Sequence, residues 1–190
     1  NNNFGFMFAP NYHSAMRFVG PVRKKIGKRT IFNMIGPLSN PALVNRQVVG
    51  VFDKNLLNIF AEGLKNLNIK FAWIVNSEDG LDEISPYAKT NVMQLRNGQI
   101  SEITIDPKLL NINAEKFENL VGYDANYNAS KMIEIFKGKD NDFSKAVCLN
   151  AAAGLIVNEK FSEFSDAYNH SREFILSGKP YLHLKKLQNV

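Results

Sequence analysis

Apolar and polar positions follow two rhythms along this chain, and the changes between them predict its elements. Residues 47–52 (Gln-Val-Val-Gly-Val-Phe) and 71–75 (Phe-Ala-Trp-Ile-Val) are short, mostly apolar runs, the pattern of buried strands. Between them Leu56, Leu57, Phe60, Ala61, Leu64 and Leu67 recur at helical spacing, which predicts a helix over 54–67 capped by Asp53. Strand, helix and strand within roughly 30 residues form a βαβ unit, which implies a parallel pair. Alternating polarity over 92–95 and 100–105 predicts two further strands. Asn97-Gly98 between them is a hairpin signal, since both residues tolerate positive φ. Helices are expected over about 127–137, 142–158 and 162–177, with a last short one after Pro180.

The first forty residues read differently. Phe4-Gly5-Phe6-Met7-Phe8 is an apolar segment that needs neighbours to cover it, so preceding sequence is expected. Asn11 is placed to cap a helix over 12–26 with a stripe of Ala15, Phe18, Val19, Val22 and Ile26, a break at Pro21 and an end at Gly27. Gly36-Pro37-Leu38-Ser39-Asn40-Pro41 is a loop. The expected architecture is one α/β domain over 1–190, with a mixed, mainly parallel sheet flanked by helices.

Composition sharpens this picture only in part. With 190 residues, 45% of them hydrophobic and 22% charged, the chain can bury a core and falls outside the disordered range. No apolar run approaches the ~18 residues of a membrane-spanning helix, so no membrane role is expected. Cys148 is the single cysteine and lies in an apolar run, which suits a buried thiol and a reducing cytoplasm. The net charge of +5 gathers in Arg17, Arg23, Lys24, Lys25, Lys28 and Arg29, and favours anionic ligands.

Three features have candidate chemistry. Glu78, Asp79, Asp82 and Glu83 place four carboxylates within six residues after a buried strand, where ligands collect in parallel sheets. An adjacent Asp82-Glu83 pair suits Mg²⁺, which takes one or two carboxylates along with waters and phosphate oxygens. Arg23 on an amphipathic helix is able to clamp a carboxylate. Gly36-Pro37 allows close approach of a ligand to the backbone. Taken singly, each has a plainer reading: a solvated acidic loop, an exposed charge beside Lys24 and Lys25, a turn. His13 alone reads as a structural histidine. No glycine-rich phosphate loop, paired-cysteine metal site or nucleophile elbow is present.

Together the segments resemble a known family. Phe8-Ala9-Pro10-Asn11-Tyr12-His13-Ser14-Ala15-Met16-Arg17, Val22-Arg23 and the run from Arg29 to Ala42 are similar to the signature of the anthranilate phosphoribosyltransferases. Glu78 to Ser85 resembles the family's acidic motif, and Leu149-Asn150-Ala151-Ala152 a late family helix. The resemblance implies transfer of a phosphoribosyl group from phosphoribosyl pyrophosphate to anthranilate, with Mg²⁺, in tryptophan biosynthesis. It assigns Asp82 and Glu83 to the metal, Arg23 to the anthranilate carboxylate, and His13, Met16, Gly36 and Pro37 to the anthranilate channel; it nominates no catalytic base. It also implies the large α/β domain of the phosphoribosyltransferase and nucleoside phosphorylase-like fold, a cytoplasmic homodimer, and association or fusion with a glutamine amidotransferase component of anthranilate synthase.

Ser14 departs from the proline usual after the histidine. The family's glycine-rich phosphoribosyl-diphosphate loop, its Lys-His-Gly-Asn segment and most of its helical domain are expected upstream of residue 1. The chain by itself is therefore expected to have little or no activity. Two alternatives stand beside this reading: a nucleic-acid-binding relative, motivated by the basic stretch from Arg17 to Arg29, and a nucleoside phosphorylase-like enzyme.

Overall fold

The structure is a computed structural model that describes residues 4–12, 16–28, 35, 36, 38–40 and 42–188. Contacts divide the chain into two compact units, residues 1–44 and residues 45–190. The first unit contains a short helix, α1 (Ala9–Tyr12), and α2 (Met16–Ile26), which carries Pro21 inside it. Gly27 follows α2 at φ +64°, the left-handed conformation that glycine supplies at a helix end.

The second unit is built on a four-stranded sheet in the order β1 (Arg46–Gly50), β2 (Phe71–Ser77), β3 (Thr90–Arg96), β4 (Gln99–Ile105). β1 and β2 are parallel and joined by α3 (Leu56–Asn66), the expected βαβ unit. The other two pairings, β2 with β3 and β3 with β4, are antiparallel. The α/β class and the mixed sheet hold, but the balance differs from the mainly parallel sheet expected. The cause lies in two reversals. Residues 78–89 turn the chain back beside β2, and Asn97-Gly98 (φ 49° and 80°) closes the tight hairpin expected there.

Two short 3-10 helices (Pro107–Leu110 and Phe117–Leu120) and four α-helices follow: α4 (Ala125–Phe136), α5 (Asp142–Val157), α6 (Phe164–Leu176) and α7 (Lys179–Gln188). Asp124 caps α4 by accepting the Tyr127 N–H, and Asn141 and Ser144 form a reciprocal capping box on α5. Helix α3 starts two residues later than expected, so Asp53 does not cap it. The Asp53 side chain accepts the Asn55 N–H in a turn, and α3 begins only at Leu56.

β2 is buried along its whole length, which explains the unbroken apolar run of residues 71–75. Phe71, Trp73 and Val75 face a core with Cys148, Leu149, Ala152, Ala153 and Ile156 of α5, and α6 closes it with Ala167, Tyr168 and Ile175. Leu57, Phe60, Ala61 and Leu64 of α3 are buried too, and α3 contacts β2 and β3. Cys148 is the buried thiol its sequence context implied, and burial pushes its pKa up to about 11.

Candidate active site

The acidic segment leaves the carboxyl end of β2 and crosses to the end of β1. Its two ends are clasped by buried hydroxyls. Ser77 and Thr90 are partners across the β2–β3 pairing, with their hydroxyl oxygens 2.6 Å apart. The single Ser77 proton goes to the Glu83 carbonyl oxygen at 2.5 Å, so Thr90 donates to Ser77. The Ser85 N–H reaches both oxygens at 3.2 Å. Ser85 Oγ in turn donates to Asp79 Oδ2 at 2.5 Å and accepts the Tyr87 N–H at 3.0 Å. Ser77, Ser85 and Thr90 are all buried, so these bonds replace water and hold the segment's shape.

Two further contacts fix where the segment lies. The Asp82 carbonyl rests on Gly50, where a Cβ would stand 1.7 Å from that oxygen. Only glycine permits such an approach. From the other side Asn150 of α5 accepts the Ile84 N–H at 3.0 Å and donates to the Ile84 carbonyl at 3.1 Å. Near the end of the segment, the Tyr87 hydroxyl lies 3.0 Å from Asp142 at the start of α5.

This geometry separates Asp79 from Asp82 and Glu83. Asp79 is occupied within the loop, accepting from Ser85 and from the Leu81 N–H at 3.3 Å. Asp82 and Glu83 are exposed, and among the described residues neither carboxylate takes a hydrogen bond or ion pair. Partial loss of surrounding water raises the Glu83 pKa from its ordinary value, and the neighbouring Asp82 charge raises it further. A cation between the two would remove that repulsion. Among the described residues no group of three or more His, Cys, Asp or Glu could form a closed metal cage. A pair with open positions suits a hydrated Mg²⁺ that also takes phosphate oxygens.

The other nominated residues belong to residues 1–44. Met16 opens α2 and Arg23 follows Pro21 within it, while both side chains lie outside the described residues, as do His13 and Pro37. Gly36 is exposed, and its carbonyl accepts the Ser39 N–H at 3.2 Å.

Residues 1–181 match the family model described as glycosyl transferase family, a/b domain. The chain belongs to this glycosyl transferase family. Over 189 residues the chain is 77% identical to an anthranilate phosphoribosyltransferase of Pelagibacter ubique, covering 100% of itself and 57% of that relative. The crystal structure of the anthranilate phosphoribosyltransferase from Thermus thermophilus superposes with a TM-score of 0.89 at 33% identity, over 97% of this chain and 55% of that one. The Saccharomyces cerevisiae enzyme in complex with PRPP and Mg gives a TM-score of 0.87 at 26% identity, over 97% and 54%. This chain thus spans little more than half the length of the relatives it matches. They bear out the resemblance read from the sequence and favour neither alternative reading.

The groups that hold the acidic segment are not among the candidate site residues read from the sequence. Ser77, Thr90 and Gly50 carry no signal of their own in a single sequence, and Ser85 stood only as the last residue of the acidic motif. Asn150 had one: a polar side chain between Leu149 and Ala151 in a helix otherwise rich in core residues.

Proposed function

We propose that the protein containing this chain transfers the phosphoribosyl group of phosphoribosyl pyrophosphate to the amine of anthranilate, giving phosphoribosylanthranilate and diphosphate in tryptophan biosynthesis. The observation that carries the reading is the exposed, unengaged Asp82-Glu83 pair at the carboxyl end of a parallel strand pair, in a chain so similar to enzymes of that name. Asp82 and Glu83 would hold Mg²⁺. When bound, the ion neutralises charge on the departing diphosphate and orients its oxygens.

The remaining roles fall to the chain's own groups. Arg23 pairs with the anthranilate carboxylate through a charge-assisted, two-point hydrogen bond. Met16, His13, Gly36 and Pro37 line the approach of the aromatic ring. In the reaction the bond from the anomeric carbon to diphosphate breaks and its electron pair leaves with the diphosphate. The amine lone pair of anthranilate forms the new C–N bond, and the nitrogen then sheds a proton. Once bonded to carbon an arylamine is acidic, so no dedicated base is assigned. Holding the two reactants in line supplies much of the acceleration. The enzyme acts as a cytoplasmic homodimer in this reading, with a glutamine amidotransferase component of anthranilate synthase as its candidate partner.

Two variants of the full protein test the assignment. Replacing Asp82 by Asn together with Glu83 by Gln is expected to lower Mg²⁺-dependent turnover by roughly 100-fold or more. Arg23→Ala is expected to raise the KM for anthranilate by about 10- to 100-fold. Steady-state kinetics with each substrate varied separates the two, and unchanged kinetics in both removes the reading.

A further inference from the structure

Resting on the metal role proposed for Asp82 and Glu83, we infer that Asn150 is a positioning residue that fixes where this pair stands. One peptide unit is central to this role, the one joining Glu83 to Ile84. Its carbonyl oxygen accepts the Ser77 hydroxyl at 2.5 Å. Its N–H donates to Asn150 Oδ1 at 3.0 Å. Both polar ends of this peptide plane are therefore tied, one to β2 and the other to α5, and the plane cannot rotate without breaking a bond.

Asn150 suits this task for a chemical reason. A carboxamide both accepts and donates, so it matches the N–H and the C=O of a single residue. Its Nδ2 has two hydrogens. One goes to the Ile84 carbonyl at 3.1 Å and the other to the Ala146 carbonyl at 3.0 Å, one turn back in α5. The second bond holds the carboxamide against its own helix. α5 is itself a firm base, since Cys148, Leu149, Ala152 and Ala153 around this position are all buried. The Ile84 side chain, fully buried in the same core, adds a non-polar anchor beside the polar one. With Gly50 under the Asp82 carbonyl, the backbone of the acidic pair meets β1, β2 and α5 at three successive points. The carboxylates themselves remain exposed and unengaged among the described residues. A rigid backbone beneath free carboxylates is the arrangement that preorganises a metal site, and groups that orient metal ligands typically affect metal affinity by about 10- to 100-fold.

The test uses the full protein and the variants Asn150→Ala and Asn150→Ser. A serine in a helix bonds to the carbonyl four residues back, so Asn150→Ser keeps the contact to Ala146 while releasing Ile84 and guards against simple loss of folding. Both variants are expected to raise the Mg²⁺ concentration for half-maximal turnover by about 10- to 100-fold, with saturating Mg²⁺ restoring most of the rate and the anthranilate KM unchanged. Titration of Mn²⁺ in the presence of diphosphate, followed by electron paramagnetic resonance, is expected to show the same weakening without turnover. Amide exchange at Ile84 should accelerate. Unchanged Mn²⁺ binding in both Asn150 variants, with weakened binding in Asp82→Asn, overturns the positioning role and leaves the metal site standing. Unchanged binding in Asp82→Asn as well removes the metal site itself. A lower kcat at unaltered metal affinity would mark Asn150 as merely structural and also overturn the inference.

Discussion

Asp142 begins α5 almost fully enclosed, yet it is a charged residue. Its Oδ2 accepts from the Glu115 N–H at 3.0 Å and from Asn119 Nδ2 at 2.9 Å, and Lys145 Nζ lies 3.0 Å from Oδ1. The Tyr87 hydroxyl shares its one proton between Asp142 and the Lys116 carbonyl. Burial alone would raise the Asp142 pKa, but the hydrogen bonds from Asn119, Lys145, Glu115 and Tyr87 outweigh it and hold the carboxyl far below the usual range. A carboxyl with a lowered folded-state pKa stabilises the fold above its unfolded value, near ~4, and loses that contribution as pH falls. Asp142→Ala strands several donors and is expected to cost about 3 kcal/mol in urea unfolding at neutral pH. Asp142→Asn should flatten the loss of stability below about pH 4. None of this was legible in the sequence, because Tyr87, Glu115 and Asn119 lie far from Asp142 along the chain and only Lys145 is a near neighbour.

At the scale of elements, the acidic segment is held by its neighbours rather than by its own turns alone. Its position beyond a buried strand was legible from the apolar run at 71–75 and from the general behaviour of parallel sheets. The separation of Asp79 from Asp82 and Glu83 was not, since it depends on Ser85 folding back to accept and donate within the loop. Gly50 shows the same limit. It reads as an interruption of a strand, while in three dimensions it is the surface on which the Asp82 carbonyl rests. Gly50→Ala is expected to displace the Asp82 backbone, costing about 1–3 kcal/mol in stability and weakening the response of turnover to Mg²⁺. Thermal unfolding and an Mg²⁺ titration of activity measure the two effects. A variant with unchanged metal response would show that the Asp82 backbone position does not matter.

For the whole molecule, the second unit accounts for the sheet, its core and the acidic pair, while the nominated anthranilate residues belong to the first. The chain spans little more than half the length of its relatives, and the glycine-rich loop that the family resemblance implies is not among its residues. The 190-residue chain on its own is therefore expected to form very little phosphoribosylanthranilate. Fluorescence detection of that product measures it, and substantial turnover would show that the missing loop is dispensable.

The strands, the βαβ unit, the hairpin at Asn97-Gly98 and the helices of the second unit were determined by the sequence itself, because each depends on local periodicity, caps and turn chemistry. The tertiary structure decided the balance of parallel and antiparallel strands and which acidic side chains are left free. It also decided which distant groups hold them. Those outcomes depend on contacts between residues far apart in the chain, such as Ile84 with Asn150 and Asp82 with Gly50, and no local pattern encodes such a meeting.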